Sequence, residues 1–189
     1  MIDGISIPNS LAWSPDGRTM YFADSLCHTI YAFAFTPETG DVGTRRVFAE
    51  TAAPAFPDGS AMDCEGCLWN AEFFGGRVVR YAPDGRVDRV ITCPLDRPTC
   101  CAFGGPDLRT LFITSTCQNM AAAERAAQPL AGALFAIDVD VQGLPEPAVR
   151  LAGAMFAIDV DVRGLPEPAV RLGGAVEHLP SVSANVGST

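Results

Sequence analysis

Asn9, Asp58 and Thr99 stand at matching points of a repeated pattern in this 189-residue chain. The amide oxygen of an Asn and the carboxylate of an Asp are hard donors of the kind that Ca²⁺, Mg²⁺ or Mn²⁺ select. A carboxylate can also take a proton from an attacking water. Two such donors do not make a cage, because Ca²⁺ takes about six to eight oxygens. On position alone, a turn role in which Asn9 and Asp58 satisfy local backbone donors is as good a reading as a metal site.

Other reactive side chains carry less. There are seven cysteines, an odd number, which argues for reduced thiols over a disulfide framework. Cys64-Glu65-Gly66-Cys67 has C-x-x-C spacing, but His28 and His178 are the only histidines and no second C-x-x-C follows. The expected role of Cys64 and Cys67 is to flank a tight Glu-Gly turn. Cys100 and Cys101 are adjacent on an expected strand, so they point to opposite faces. Asp138 and Asp140 invite a Ca²⁺ reading, but they lack the turn glycine and distal Glu of an EF-hand loop.

The elements that position Asn9 and Asp58 come in three units. The first runs Asn9–Trp13, a Ser-Pro-Asp16-Gly17 turn and Tyr21–Asp24. The second runs Asp58–Met62, Asp63-Cys-Glu65-Gly66 and Leu68–Ala71. The third runs Thr99–Phe103, Gly-Gly-Pro-Asp107 and Leu111–Thr114. Each is an apolar strand, an Asp/Gly turn and a second apolar strand, the chemistry of a hairpin. Residues Thr29–Phe35, Arg77–Tyr81 and Leu134–Val141 supply further strands. Short strands recurring every ~40–50 residues match a β-propeller blade, whose innermost strands converge on one axis. The expected fold is all-β, a partial propeller of about three four-stranded blades. The one helix candidate is Ala121–Ala127. A different repeat follows: residues 154–174 nearly duplicate 133–153, differing only at Leu134/Met155, Gln142/Arg163 and Ala152/Gly173. The expected organisation is a partial propeller over 1–153, a recent duplicate over 154–174 and a tail over 175–189.

Composition removes several function classes. Thirteen basic residues, all arginine, face 22 acidic ones, for a formal net charge of −9. Without lysine there is no P-loop or Schiff-base lysine and no polybasic patch, so no nucleic-acid or membrane partner is expected. No apolar run spans a bilayer and no signal segment opens the chain, which points to a cytoplasmic location.

The string Ile7-Pro8-Asn9-Ser10-Leu11-Ala12-Trp13-Ser14-Pro15-Asp16-Gly17 with Tyr21-Phe22-Ala23-Asp24-Ser25 resembles the SMP-30/gluconolactonase/regucalcin (LRE) family of six-bladed propellers. So do Pro57-Asp58-Gly59, Asp63-x-Glu65-Gly66-x-Leu68-Trp69, Gly75-Gly76-Arg77-Val78 and Pro98-Thr99-Cys100-Cys101-x-Phe103-Gly104-Gly105. The resemblance implies metal-dependent hydrolysis of a sugar lactone. It places the family's Asn ligand on Asn9, and on Asp58 its Asp ligand and general base. The cofactor it implies is a divalent ion, Ca²⁺ first, with Zn²⁺, Mn²⁺ or Mg²⁺ as alternatives. A family Glu ligand and substrate-contacting Arg and Asn come from blades preceding the Asn9 segment, and these have no counterpart here. The expectation is therefore a lactonase fragment inactive alone, with self-association through unpaired blade edges. The alternative is a non-catalytic cation-binding or interaction module.

Overall fold

The structure, a computed structural model, describes residues 2–145. Three antiparallel sheets follow one another along the chain. Sheet 1 holds β1 (Pro8–Trp13), β2 (Thr19–Asp24), β3 (Thr29–Thr36) and β4 (Asp41–Glu50) in that order. Sheet 2 holds β5 (Phe56–Met62), β6 (Leu68–Phe73), β7 (Arg77–Tyr81) and β8 (Val87–Thr92). Sheet 3 holds β9 (Pro98–Gly104), β10 (Thr110–Ser115) and β11 (Phe135–Asp138). The short helix α1 (Ala122–Ala127) sits between β10 and β11. Every connection within a sheet joins neighbouring strands, which is the meander of a propeller blade. The third sheet has three strands among the described residues rather than the expected four. The 154–174 duplicate and the 175–189 tail lie outside them.

The hairpins form where they do because of their aspartates. Asp16, Asp63, Asp84 and Asp107 each accept a hydrogen bond from the backbone N–H two residues on, at 3.0–3.3 Å. This Asx geometry turns the chain without help from the strands. Strands β2, β3, β6 and β7 are largely buried on both alternating sides, whereas β4 and β8 are mostly exposed. Tyr21, Ala23, Ile30, Ala32 and Phe48 of sheet 1 pack against Met62, Leu68, Val79 and Tyr81 of sheet 2. Trp69, Ala71 and Val78, on the other face of sheet 2, pack against Cys101, Leu111 and Ile113 of sheet 3. Cys100 is exposed where Cys101 is buried, as strand alternation requires.

The segment Leu134–Val141 is not strand throughout. β11 stops at Asp138, and the chain then crosses back to sheet 2, where Cys64 donates to Gln142 O and Leu144 donates to Met62 O. Val141 is buried with the second cluster and Leu144 packs on the first. The crossing ends beside Asp63, which pairs with Gly143.

Asp63 is the polar centre of sheet 2. It is fully buried and accepts from Glu65 N and Cys67 N at 3.0 Å, and from Trp69 Nε1 and Arg80 Nε at 2.8 Å. Arg80 donates onward to Glu65 at 2.7 Å and Asp88 at 2.6 Å, with its guanidinium over the Trp69 ring. Cys64 and Cys67 flank this turn, as expected. Removing one partner of a buried ion pair leaves the other uncompensated and costs about 3–5 kcal/mol. Asp63→Ala should lower unfolding free energy by that amount in a denaturant titration, and a loss under about 1 kcal/mol would show that Asp63 is not central.

Candidate functional site

The innermost strands β1 and β5 pack against each other along the line where sheets 1 and 2 meet. Both are interrupted at the same place. The β1–β2 register shifts between Asn9 and Ala12, and the β5–β6 register shifts between Pro57 and Ser60. Such bulges re-aim side chains that a regular strand would send to a face. Ser10, in the first bulge, has φ of 58° and hydrogen-bonds Ser60, in β5, at 2.5 Å. Gly59, in the second, is held against β9: a Cβ there would lie 2.3 Å from Cys100 Sγ and 2.9 Å from Cys100 Cα. Only glycine permits that approach, which explains its place directly after Asp58.

The bulges open a cavity of about 230 Å³ at the start of the two strands. Its polar lining is Asn9, Ser25 and Asp58, and its apolar wall is Ile7, Leu26, Phe56, Pro57 and Phe73. The two candidate ligands are thus brought together. Thr99 is not among the lining residues; its hydroxyl hydrogen-bonds Thr114 Oγ1 at 2.8 Å. Ser25 is the member that the sequence reading quoted without giving it a role.

Ser25 fixes the orientation of Asn9. Its hydroxyl donates to Pro57 O at 2.6 Å, which uses its one hydrogen. It can then only accept from Asn9, whose Nδ2 lies 2.9 Å away. Asn9 Oδ1 is left as the free acceptor. Asp58 is the opposite of a satisfied carboxylate. Burial pushes its pKa up to about 6, and the Gly59 backbone N–H pulls it down only in part. Asp24, two strands away, shows the contrast: burial pushes it up as well. Donors from Ser6 and Ile7 N–H and Cys27 Sγ outweigh that and hold it below the usual carboxylate range. A half-buried carboxylate in a cleft, without a cationic partner among the described residues, is the state expected of a base or a cation ligand.

The donor set bears on a cation directly. Asn9 and Asp58 give two oxygens on adjacent strands, and no group of three or more His, Cys, Asp or Glu suited to a metal occurs among the described residues. The oxygens suit a hard divalent ion in kind. Their number leaves most of the coordination shell to water, substrate or other protein groups.

Comparison with known proteins bears on the fold and the family. Residues 1–117 match the family described as SMP-30/Gluconolactonase/LRE-like region. A 6-deoxy-6-sulfogluconolactonase of Pseudomonas putida is 45% identical over 78% of this chain and 51% of its own length. Regucalcin of Gallus gallus is 38% identical over 76% of this chain and 49% of its own. The crystal structure of a calcium-binding protein, regucalcin, from Agrobacterium tumefaciens superposes with a TM-score of 0.74 at 38% identity, over 78% of this chain and 50% of that one. The chain spans about half the length of the curated relatives it matches. On its motifs, its three consecutive sheets and these matches, the chain belongs to the SMP-30/gluconolactonase/LRE-like family of six-bladed β-propellers.

Proposed function

We propose that this chain supplies the carboxylate-and-amide half of a divalent-cation-dependent site for hydrolysis of a sugar lactone. The observation that carries the reading is the convergence of Asn9 and Asp58 on one cavity, with the Asn9 oxygen freed by the hydrogen bond to Ser25. Support also comes from two relatives, named as a sulfogluconolactonase and as a calcium-binding regucalcin. Asn9 Oδ1 and the Asp58 carboxylate would hold the cation, which when bound supplies polarisation of the lactone carbonyl. Ca²⁺ matches these hard donors most closely, with Mg²⁺, Mn²⁺ or Zn²⁺ also accepted by a carboxylate.

The chain's own residues have separate tasks. Asp58 takes the proton of the attacking water at a carboxylate oxygen. Burial raises its proton affinity in the cation-free cavity, and a bound cation would hold the carboxylate ionised and ready to accept that proton. Ser25 holds the Asn9 amide in one orientation. Ile7, Leu26, Phe56 and Phe73 exclude water and present an apolar surface to the C–H face of a sugar ring. With two protein donors among the described residues, the site is completed by further groups.

Calorimetric titration with Ca²⁺ or Mn²⁺ tests the half-site without requiring turnover. Asp58→Ala should weaken binding at least tenfold, about 1.4 kcal/mol, and Ser25→Ala by a smaller factor through loss of amide orientation. Equal affinity in Asp58→Ala and the parent chain would remove the cation from this cavity. With an aldonolactone and saturating cation, the 189-residue chain alone should show no hydrolysis above the uncatalysed rate. Turnover that Asp58→Ala abolishes would show instead that the chain is catalytically complete.

The raised pKa of Asp58 also makes a stability prediction. Its folded value, about 6, exceeds the ordinary 3.8. The folded state therefore holds the proton more tightly, and ionising Asp58 costs stability. That cost is absent below about pH 4 and fully present above about pH 6, on the order of 2–3 kcal/mol. Asp58→Asn should remove it, so the variant gains on the parent as pH rises from 4 to 7.5 in urea titrations. A constant difference between the two proteins across that range would contradict the burial of a lone carboxylate.

A further inference from the structure

Strand β6 is buried from Leu68 to Glu72, and an amide sits at its centre. Trp13, Met62 and Phe103 pair with Met20, Leu68 and Leu111 in the three sheets, and two residues further along stand Phe22, Asn70 and Ile113. Sheets 1 and 3 thus fill this position with an apolar side chain, and sheet 2 fills it with Asn70. Asn70 is 0% exposed, and its Oδ1 has no hydrogen-bond partner among the described residues. Burying an amide here is a loss unless its donors return something. What they return lies beside the cavity.

The β5–β6 ladder sets Pro57 opposite Glu72 and Ser60 opposite Asn70, so Asp58 and Gly59 together face Ala71. A bulge takes backbone groups out of the ladder, and those groups need other partners. Asn70 provides them. Its Nδ2 lies 3.0 Å from Asp58 O, 3.4 Å from Gly59 O and 2.9 Å from Ser60 Oγ. Three acceptors around one nitrogen fix the amide orientation, because the reverse would set Oδ1 against two carbonyls.

From Ser60 the contacts cross the junction between the sheets. Ser60 Oγ hydrogen-bonds Ser10 Oγ at 2.5 Å, and Ser10, 4% exposed, is the left-handed residue directly after Asn9. Phe22, which stands in place of Asn70 in sheet 1, has no side-chain donor to offer the β1 bulge. One buried amide therefore braces the bulge that carries Asp58 and, through two hydroxyls, the bulge that carries Asn9.

We propose that Asn70 is the positioning residue of this cavity: its Nδ2 holds the two bulges in the geometry that brings Asp58 and Asn9 together. Asn70 is not among the cavity's lining residues, so it acts through Asp58 and Asn9 and touches neither cation nor substrate. This role rests on the cation half-site proposed above and adds to it the residue that shapes it.

Calorimetric titration of the 189-residue chain with Mn²⁺ or Ca²⁺ tests the role. Asn70→Leu is close in size to the parent residue and has no donors. Checked for retained strand content by circular dichroism, it should bind about tenfold more weakly. Two independent losses multiply, whereas losses that act through one group do not. The Asp58→Ala/Asn70→Leu double variant should therefore bind little more weakly than Asp58→Ala alone, an outcome that a general loosening of the sheet would not give. Ser60→Ala keeps the bonds from Asn70 to the carbonyls and removes the link to Ser10; it should weaken binding about threefold, and it carries the test if Asn70→Leu does not fold. Parent-like affinity in folded Asn70→Leu, or in Ser60→Ala, would overturn the role while leaving the half-site in place, provided that Asp58→Ala has lost affinity. Fully multiplied losses in the double variant would overturn it as well. Asp58→Ala indistinguishable from the parent would remove the half-site and this role together.

Discussion

A blade in this fold is apolar on both faces, so no sheet can complete its own core. Sheet 2 meets that constraint with Leu68, Val79 and Tyr81 turned to one neighbour and Trp69, Ala71 and Val78 turned to the other. Everything else follows from stacking sheets in order. The innermost strands are forced side by side, their starts share one cavity, and the hydrophobic driving force is spread over successive junctions rather than one central core. The buried Asp63–Arg80–Trp69 knot lies inside this stack. It ties the β5–β6 turn to β7 and gives the buried Asp63 carboxylate, Trp69 Nε1 and Arg80 partners in one another.

The site depends on that stacking more than on any single strand. Asn9 and Asp58 belong to different sheets, and neither would meet the other in an isolated hairpin. Ser25 bridges them, accepting from Asn9 and donating to the carbonyl that precedes Asp58. Two carboxylates near one another fare differently: Asp24 is surrounded by donors and serves the fold, while Asp58 has one backbone donor. Leaving a carboxylate poorly solvated is a local loss of stability, set against what it can do with a cation or a proton.

The hairpins were legible in the sequence because their signals are local. Asp-Gly turns, alternating apolar residues and three returns of one pattern marked β1, β2, β5, β6, β9 and β10, and the motif Pro57-Asp58-Gly59 marked the carboxylate. The outer strands β4 and β8 were harder to see. Asp41–Arg46 are exposed on both sides and carry no alternation. The end of β11 at Asp138 was also hidden, since Val139 and Val141 continue the alternating pattern but pack on sheet 2 through the crossing segment. Thr99 shared the repeat position of Asn9 and Asp58 without joining their cavity. The role of Ser25 required three dimensions, because its partners lie 16 and 32 residues away.

The central claim is that Asn9 and Asp58 form one cation half-site. Anomalous scattering from crystals grown with Mn²⁺ would test it most directly. The account predicts a peak in the cavity between β1 and β5, at about 2.1–2.6 Å from both Asn9 Oδ1 and an Asp58 carboxylate oxygen. A cavity without a peak at saturating Mn²⁺, or a peak on other residues with Asp58 unligated, would contradict it.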